Sequence, residues 1–252
     1  MDNIKICSER SWPNRGECFT CAVNENPKNL DHKVPTAAVI LALNLSPAPY
    51  TALLFERKWK TGRELKISFL GDVDNTVKQR IIFYANQWLE FVNLRFNFIN
   101  DIDGDIRIST EPGGSWSYLG TDALLVKNNL PTMNYGWLLP DTPDEEYSRV
   151  VLHEFGHALG AIHEHMHPDA GIPWDRPKVY DYYSKMGWTA DEVDNNIFKK
   201  YDKDQLNTST YDKSSIMHYA VPDELTIGHW EIAWNTELSD SDKKFITNQY
   251  PR

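Results

Sequence analysis

The chain has 252 residues, room for one large or two small domains with a sizeable core. Its formal net charge of -10, without any basic run, argues against a nucleic-acid partner, and no apolar stretch is long enough to span a bilayer. The first residues lack the basic-then-apolar order of a signal peptide, so the chain is expected to be cytoplasmic, or secreted if a signal has been removed.

Residues 1–47 are polar, turn-rich and weakly patterned, which suits an extended arm or pro-segment better than an independent domain. Cys7, Cys18 and Cys21 all fall here, and the remaining chain has no cysteine. An odd number excludes complete internal pairing, and a lone C-x-x-C is short of a metal ligand set. One disulfide plus a free thiol, or three reduced thiols, is expected, and the rest of the chain must be held by its core alone. The arm is expected to end at residue 61, with one domain over 62–252 divided into an upper part (62–160) and a lower part (161–252).

Ala52, Leu53, Leu54 and Phe55 predict a short strand, and residues 66–70 alternate like a strand entering a core. Asp74 or Asn75 would cap a helix in which Val77, Ile81, Tyr84, Ala85, Trp88, Phe91 and Val92 recur at helical spacing. Leu94, Phe96 and Phe98 alternate as a second strand, and residues 106–108 make a third. This order predicts an α+β fold with a twisted, mostly parallel sheet backed by two long helices. Residues 101–105 imitate the start of a calcium loop, but Pro112 stands where the twelfth position requires a carboxylate, so a tight turn is expected. Residues 113–118 and 131–137 read as the last two strands.

Thr142 with Glu145 reads as a capping box, Pro143 suits a first helical turn, and Asp144, Glu145 and Glu146 complement the dipole of a second long helix. Along it runs His153-Glu154-Phe155-Gly156-His157-Ala158-Leu159-Gly160-Ala161-Ile162-His163-Glu164. Residues four apart share a helix face, so His153 and His157 can present imidazoles to one metal ion. Glu154 is displaced around the helix, near a metal-bound water but outside the ligand positions. Gly160 falls where a helix commonly ends with a positive φ, and the break lets His163 approach from a third direction. Three neutral nitrogens would leave a zinc ion one open position, the arrangement of a catalytic site.

Prolines 168, 173 and 177 mark a loop-rich C-terminal part. Thr189 with Glu192 predicts a capped helix through Val193, Ile197 and Tyr201, and Ser239 with Asp242 caps a last helix containing Phe245, Ile246 and Tyr250. Between them stands Ser215-Ile216-Met217-His218-Tyr219.

The twelve-residue motif resembles the long zinc signature of the metzincin metallopeptidases. Together with Glu164 and the Ser-x-Met-His-Tyr turn, it is similar to the astacin branch in particular. The resemblance implies a metzincin, zincin-like fold with an antiparallel edge strand and a zinc cofactor held by His153, His157 and His163. It also implies an endopeptidase that hydrolyses internal bonds of a protein or peptide substrate through a zinc-bound water activated by Glu154. Tyr219 matches the family tyrosine that ligates zinc at rest and swings to the tetrahedral intermediate, and Met217 would be a packing floor beneath the ligands. By the same resemblance Thr132 to Trp137 would be the edge strand that pairs with substrate, and Glu164 would meet the amino terminus of the mature chain. His165, His167 and His218 are expected at the surface or behind the ligands. Arg176, Lys178 and Lys185 are candidates for a basic pocket. Phe69-Leu70-Gly71-Asp72 resembles an inhibitory pro-segment motif but is expected to complete the first strand of the domain. The disulfides of typical astacins have no counterpart in residues 62–252. The chain is expected to act as a monomer. A zinc exopeptidase and a non-catalytic zinc-binding protein on a protease scaffold are the alternatives.

Overall fold

A computed structural model describes residues 7–29, 57–201 and 210–252. The strand expected at 52–55 lies outside these residues. The chain forms two compact units, residues 1–162 with 246–252, and residues 163–245.

The first unit is built on a six-stranded sheet. Its strands are β1 (Cys7–Arg10), β2 (Glu64–Phe69), β3 (Arg95–Ile99), β4 (Ile106–Ser109), β5 (Ser115–Tyr118) and β6 (Met133–Asn134). They lie in the order β1-β5-β6-β4-β2-β3. All neighbours are parallel except β5 and β6. Leu65, Ile67, Ile106, Ile108 and Met133 are buried to 2 % exposure or less, as expected of central parallel strands. Phe69 ends β2 inside the sheet and Leu70 N–H still reaches Ile108 O at 2.8 Å, so these two complete the strand as expected, whereas Gly71, with φ 77°, and Asp72 lie beyond it.

This topology corrects two expectations. Residues 132–137 are not the sheet edge, because β6 is enclosed by β4 and β5. The strand that meets the rest of the sheet antiparallel is β5, and β1, parallel to β5, covers its outer side. The strand β1 and the helix α1 (Arg15–Glu25) that follows it come from a segment too polar to predict them by periodicity. The helix does carry a local start signal, since Asn14 accepts hydrogen bonds from Gly16 N–H and Glu17 N–H. It packs on the 3₁₀ turn at Gly120–Leu125, where buried Asp122 accepts from Trp12 N–H and the Arg57 guanidinium.

Helices α2 (Asn75–Ala85) and α3 (Asp144–Ala158) pack together beside the sheet. Asp74 caps α2 through Thr76 N–H and Val77 N–H, and the helix tightens to a 3₁₀ turn at Asn86–Glu90, short of the predicted end. Trp88 Nε1 donates to Leu152 O at 3.2 Å, and Phe96 meets Phe155 with ring centroids 5.5 Å apart. Thr142 does not cap α3. Pro143 takes the cap position, and Thr142 Oγ1 instead accepts from Leu139 N–H in the turn before it. The acidic turn at 101–105 joins β3 to β4, with Asp105 paired to Arg63 and to Lys66 N–H.

Arg107 is a cation buried in β4, at 2 % exposure, and among the described residues its hydrogen bonds go to backbone carbonyls. Its guanidinium donates to the carbonyls of Leu130, Gly104 and Val126 at 2.8, 2.8 and 2.9 Å, fixing the loop that leads into β6. Charge-assisted bonds of this kind are costly to lose in the interior. Arg107→Ala is expected to lower stability by about 3 kcal/mol, read as a reduced urea midpoint at unchanged slope. A loss below about 1 kcal/mol would mean that water satisfies the three carbonyls instead.

The second unit is loop-rich. It holds α4 (Arg176–Ser184), α5 (Ala190–Val193) with a π-helical turn at Asp194–Phe198, and most of α6 (Asp240–Gln249), which crosses into the first unit. The Thr189–Glu192 capping box is present, and the helix ends at Phe198 rather than Tyr201. Ser239 and Asp242 exchange hydrogen bonds at the start of α6. Ala170, Ile172, Val221 and Ile232 form a small core.

Candidate metal centre and catalytic site

Helix α3 carries the first two candidate ligands, and its end is closely determined. Leu159 is the last residue with near-helical backbone, and Gly160 follows with φ 93°. Ala161 N–H bonds to Gly156 O and Gly160 N–H to His157 O, the two bonds of a Schellman motif. An added Cβ at residue 160 would have room, so the positive φ is what calls for glycine. Trp59 Nε1 donates to Ala158 O at 2.7 Å, and Tyr250 OH donates to Leu159 O at 2.8 Å while accepting from Trp59 N–H. Both rings are fully buried. The carbonyls that a helix leaves unsatisfied at its end are thereby bonded, and the motif is held in place.

His153, His157 and His163 are all buried, and their ring nitrogens lie within 4.8 Å of one another. His157 Nδ1 lies 2.8 Å from Ala161 O. Donation to that carbonyl fixes the tautomer with Nε2 bare, the usual preparation of a ligating histidine. Burial pushes the His157 pKa down to about 4, so the ring is neutral at pH 7. Three imidazoles at this spacing fit a zinc ion and leave one coordination position over.

Glu154 is completely buried, and neither carboxylate oxygen has a well-formed hydrogen bond, although the Cys7 thiol and Arg149 are near enough to favour its charge. Burial outweighs them and raises its pKa to about 8. An orphaned carboxylate is expensive in a protein interior. Beside three histidines it is the kind of strain that a functional site retains.

Ser215 to Tyr219 form the second motif. Asp242 holds this turn by accepting from Ser215 Oγ at 2.6 Å and Ile216 N–H at 2.8 Å. Glu164 N–H donates to Met217 O at 3.0 Å, and the Glu164 carboxylate accepts from Asp212 N–H at 2.9 Å. Glu164 therefore ties the turn to the chain directly after His163. Met217 is buried. Tyr219 lies between two imidazoles, with ring centroids 4.4 Å from His163 and 4.3 Å from His165.

His165, His167 and His218 are not at the surface; all three are at 3 % exposure or less. His165 stacks on Tyr219 and bonds the Asn196 carbonyl, and His218 bonds Tyr211 OH. The structural work of Asp242 also goes beyond its sequence signal, which marks it only as a helix cap. Arg176, Lys178 and Lys185 do not form a pocket; each is exposed and paired with a different acid, Asp194, Asp175 and Asp181. Cys7, Cys18 and Cys21 form no disulfide with one another, and the first two are buried. No helix among the described residues is long and apolar enough to cross a membrane.

A model of the Astacin peptidase family matches residues 54–226. A search of curated proteins found no match. Among solved structures, one of myroilysin is 44% identical with a TM-score of 0.74, over 78% of this chain and 96% of that one. A second myroilysin structure is 42% identical with a TM-score of 0.63, over 78% and 86%. High choriolytic enzyme 1, a hatching enzyme zinc-protease from the medaka fish Oryzias latipes, is 21% identical with a TM-score of 0.52 over 80% and 96%, a likeness of fold. With the family model matching well over half of its length and both signature motifs in place, the chain belongs to the astacin family of metallopeptidases.

Proposed function

We propose that this peptidase is a zinc-dependent endopeptidase whose metal is held by His153, His157 and His163, with Glu154 as general base and Tyr219 as an oxyanion donor. The observation that carries the reading is the orphaned, buried carboxylate of Glu154 beside three buried imidazoles. When bound, zinc would supply Lewis acidity, making water more acidic and polarising a carbonyl. Glu154 takes the proton of the attacking water and passes it to the leaving amine nitrogen. Tyr219 directs its phenol O–H to the developing oxyanion. An extended protein or peptide substrate would be held by backbone bonds along the sheet edge, in a monomeric enzyme. The exopeptidase alternative would need a charged group placed to capture a chain terminus.

A mixed peptide library digested by the zinc-loaded protein tests the reaction. Internal cuts are expected, and progressive trimming from one terminus would favour the exopeptidase. In the same assay Tyr219→Phe is expected to lower kcat about a hundredfold with KM little changed. An unchanged kcat would remove Tyr219 from the mechanism.

Residues 1–61 are read as a pro-segment. Support comes from β1 on the outer edge of β5 and from Cys7 against Arg149 and Glu154. The working boundary is better placed before Arg57, because Arg57 binds Asp122 and Trp59 is buried beneath the end of α3. Removing residues 1–56 is expected to raise kcat/KM for peptides at least about tenfold, as relief of a competing intramolecular strand. Equal activity in the intact and shortened chains would count against the pro-segment.

A further inference from the structure

The side chains of β1 are set against those of β5 in a definite pattern. Paired residues in neighbouring strands share a face of the sheet. The register sets Ser8 beside Trp116 and Arg10 beside Tyr118, while Cys7 and Glu9 lie beside buried Ser115 and Ser117 on the opposite face. The ladder continues one step further, with Leu119 N–H donating to Arg10 O at 2.9 Å. On the Trp116 face the Arg10 guanidinium stands 3.5 Å from the Trp116 ring centroid. The Tyr118 ring meets Trp116 at 84°, with centroids 6.1 Å apart, so the two aromatics form an angled cradle. Burial disfavours the positive charge of Arg10, and the nearby Tyr118 and Glu154 offset this only in part. A cation over the face of tryptophan is attracted by the ring quadrupole, most strongly when the pair is partly shielded from water. A planar guanidinium also stacks on the ring, which an ammonium does less well.

We propose that Trp116 and Tyr118 form a side-chain subsite for a cationic residue, arginine above lysine, in the extended peptide substrate, and that Arg10 fills it while β1 is seated. The inference rests on the endopeptidase reading and on β1 being displaced before substrate binds. It goes beyond that reading by naming a side chain the enzyme selects and the residues that select it.

The test uses the full chain carrying Arg10→Glu, which places a carboxylate over the Trp116 ring and near Glu154 and so releases the edge. Glu154→Gln is added for binding measurements, and three fluorescent decapeptides differ only in having Arg, norleucine or Glu at one central position. The Arg peptide is expected to bind at least about tenfold more tightly than the Glu peptide, a difference that falls below about twofold when Trp116→Ala is added. Equal binding of the three, binding by none, or discrimination that survives Trp116→Ala overturns the subsite. Digestion of a peptide library by the Arg10→Glu chain with Glu154 intact separates this inference from its premise. Internal cuts with no enrichment of Arg or Lys at a fixed position sink the subsite and leave the endopeptidase. Cation-selective binding with no cuts at all sinks the endopeptidase and leaves the subsite.

Discussion

Glu154→Gln is expected to lower kcat/KM for peptide hydrolysis by about three to four orders of magnitude while the protein still binds one zinc ion. The substitution keeps the shape of the side chain and removes only its ability to accept a proton. Neither oxygen of Glu154 has a well-formed hydrogen bond, and the Cys7 thiol beside it can donate equally to an amide oxygen, so no partner is abandoned by the change. An amide is also cheaper to bury than an unpaired carboxylate. The variant should therefore melt at the same temperature or a few degrees higher, the usual exchange of stability against function at a strained site. Kinetics on a fluorogenic peptide, metal content and a melting curve on one preparation check all three parts. A variant that retains a tenth of its activity would disprove the general-base role. A variant that loses both zinc and stability would show that Glu154 supports the fold rather than the reaction.

The sequence-structure relation is clearest where short-range rules sufficient for a local geometry coincide with function. Helical spacing brings His153 and His157 onto one face, and Gly160 supplies the positive φ that leads to His163. Thr189 with Glu192 and Ser239 with Asp242 form the capping interactions that their spacing predicts. What fails depends on pairing across long separations. β1 contains Cys7, Ser8, Glu9 and Arg10, a sequence with no apolar alternation, and it is a strand because β5 offers it a row of backbone partners. The antiparallel position falls to Ser115–Tyr118 instead of 132–137 because strand order in a sheet is not written in the periodicity of any one strand. Thr142 satisfies the letter of a capping box, yet Leu139 N–H takes its hydroxyl first. The burial of His165 and His218 is invisible for a related reason, since polar residues are buried where tertiary partners exist, and Asn196, Tyr211 and Tyr219 lie 7 to 54 positions away in the chain.

Zinc is expected to stabilise the folded chain strongly, and His163→Ala to abolish the effect. A ligand that binds only the folded state adds RT ln(1 + [L]/Kd), about 4 kcal/mol at a free concentration a thousand times Kd. The three imidazoles are already gathered within 4.8 Å, so little of the binding energy is spent in ordering them. His157 is neutral at pH 7 and has no proton to release when it ligates. Calorimetry of the metal-free protein titrated with zinc should show the melting temperature rising with concentration, and in His163→Ala the stabilisation should fall below about 1 kcal/mol. The same measurement distinguishes a catalytic site from a structural one. A structural zinc fills its fourth position with protein, and the thiol nearest this site is Cys7, which lies against Glu154. Cys7→Ser should keep the full zinc-dependent shift if three histidines hold the metal and the fourth position serves the reaction. Loss of the shift in Cys7→Ser would instead make the N-terminal strand part of the metal site, and the activity of the intact chain would then depend on withdrawing that thiol.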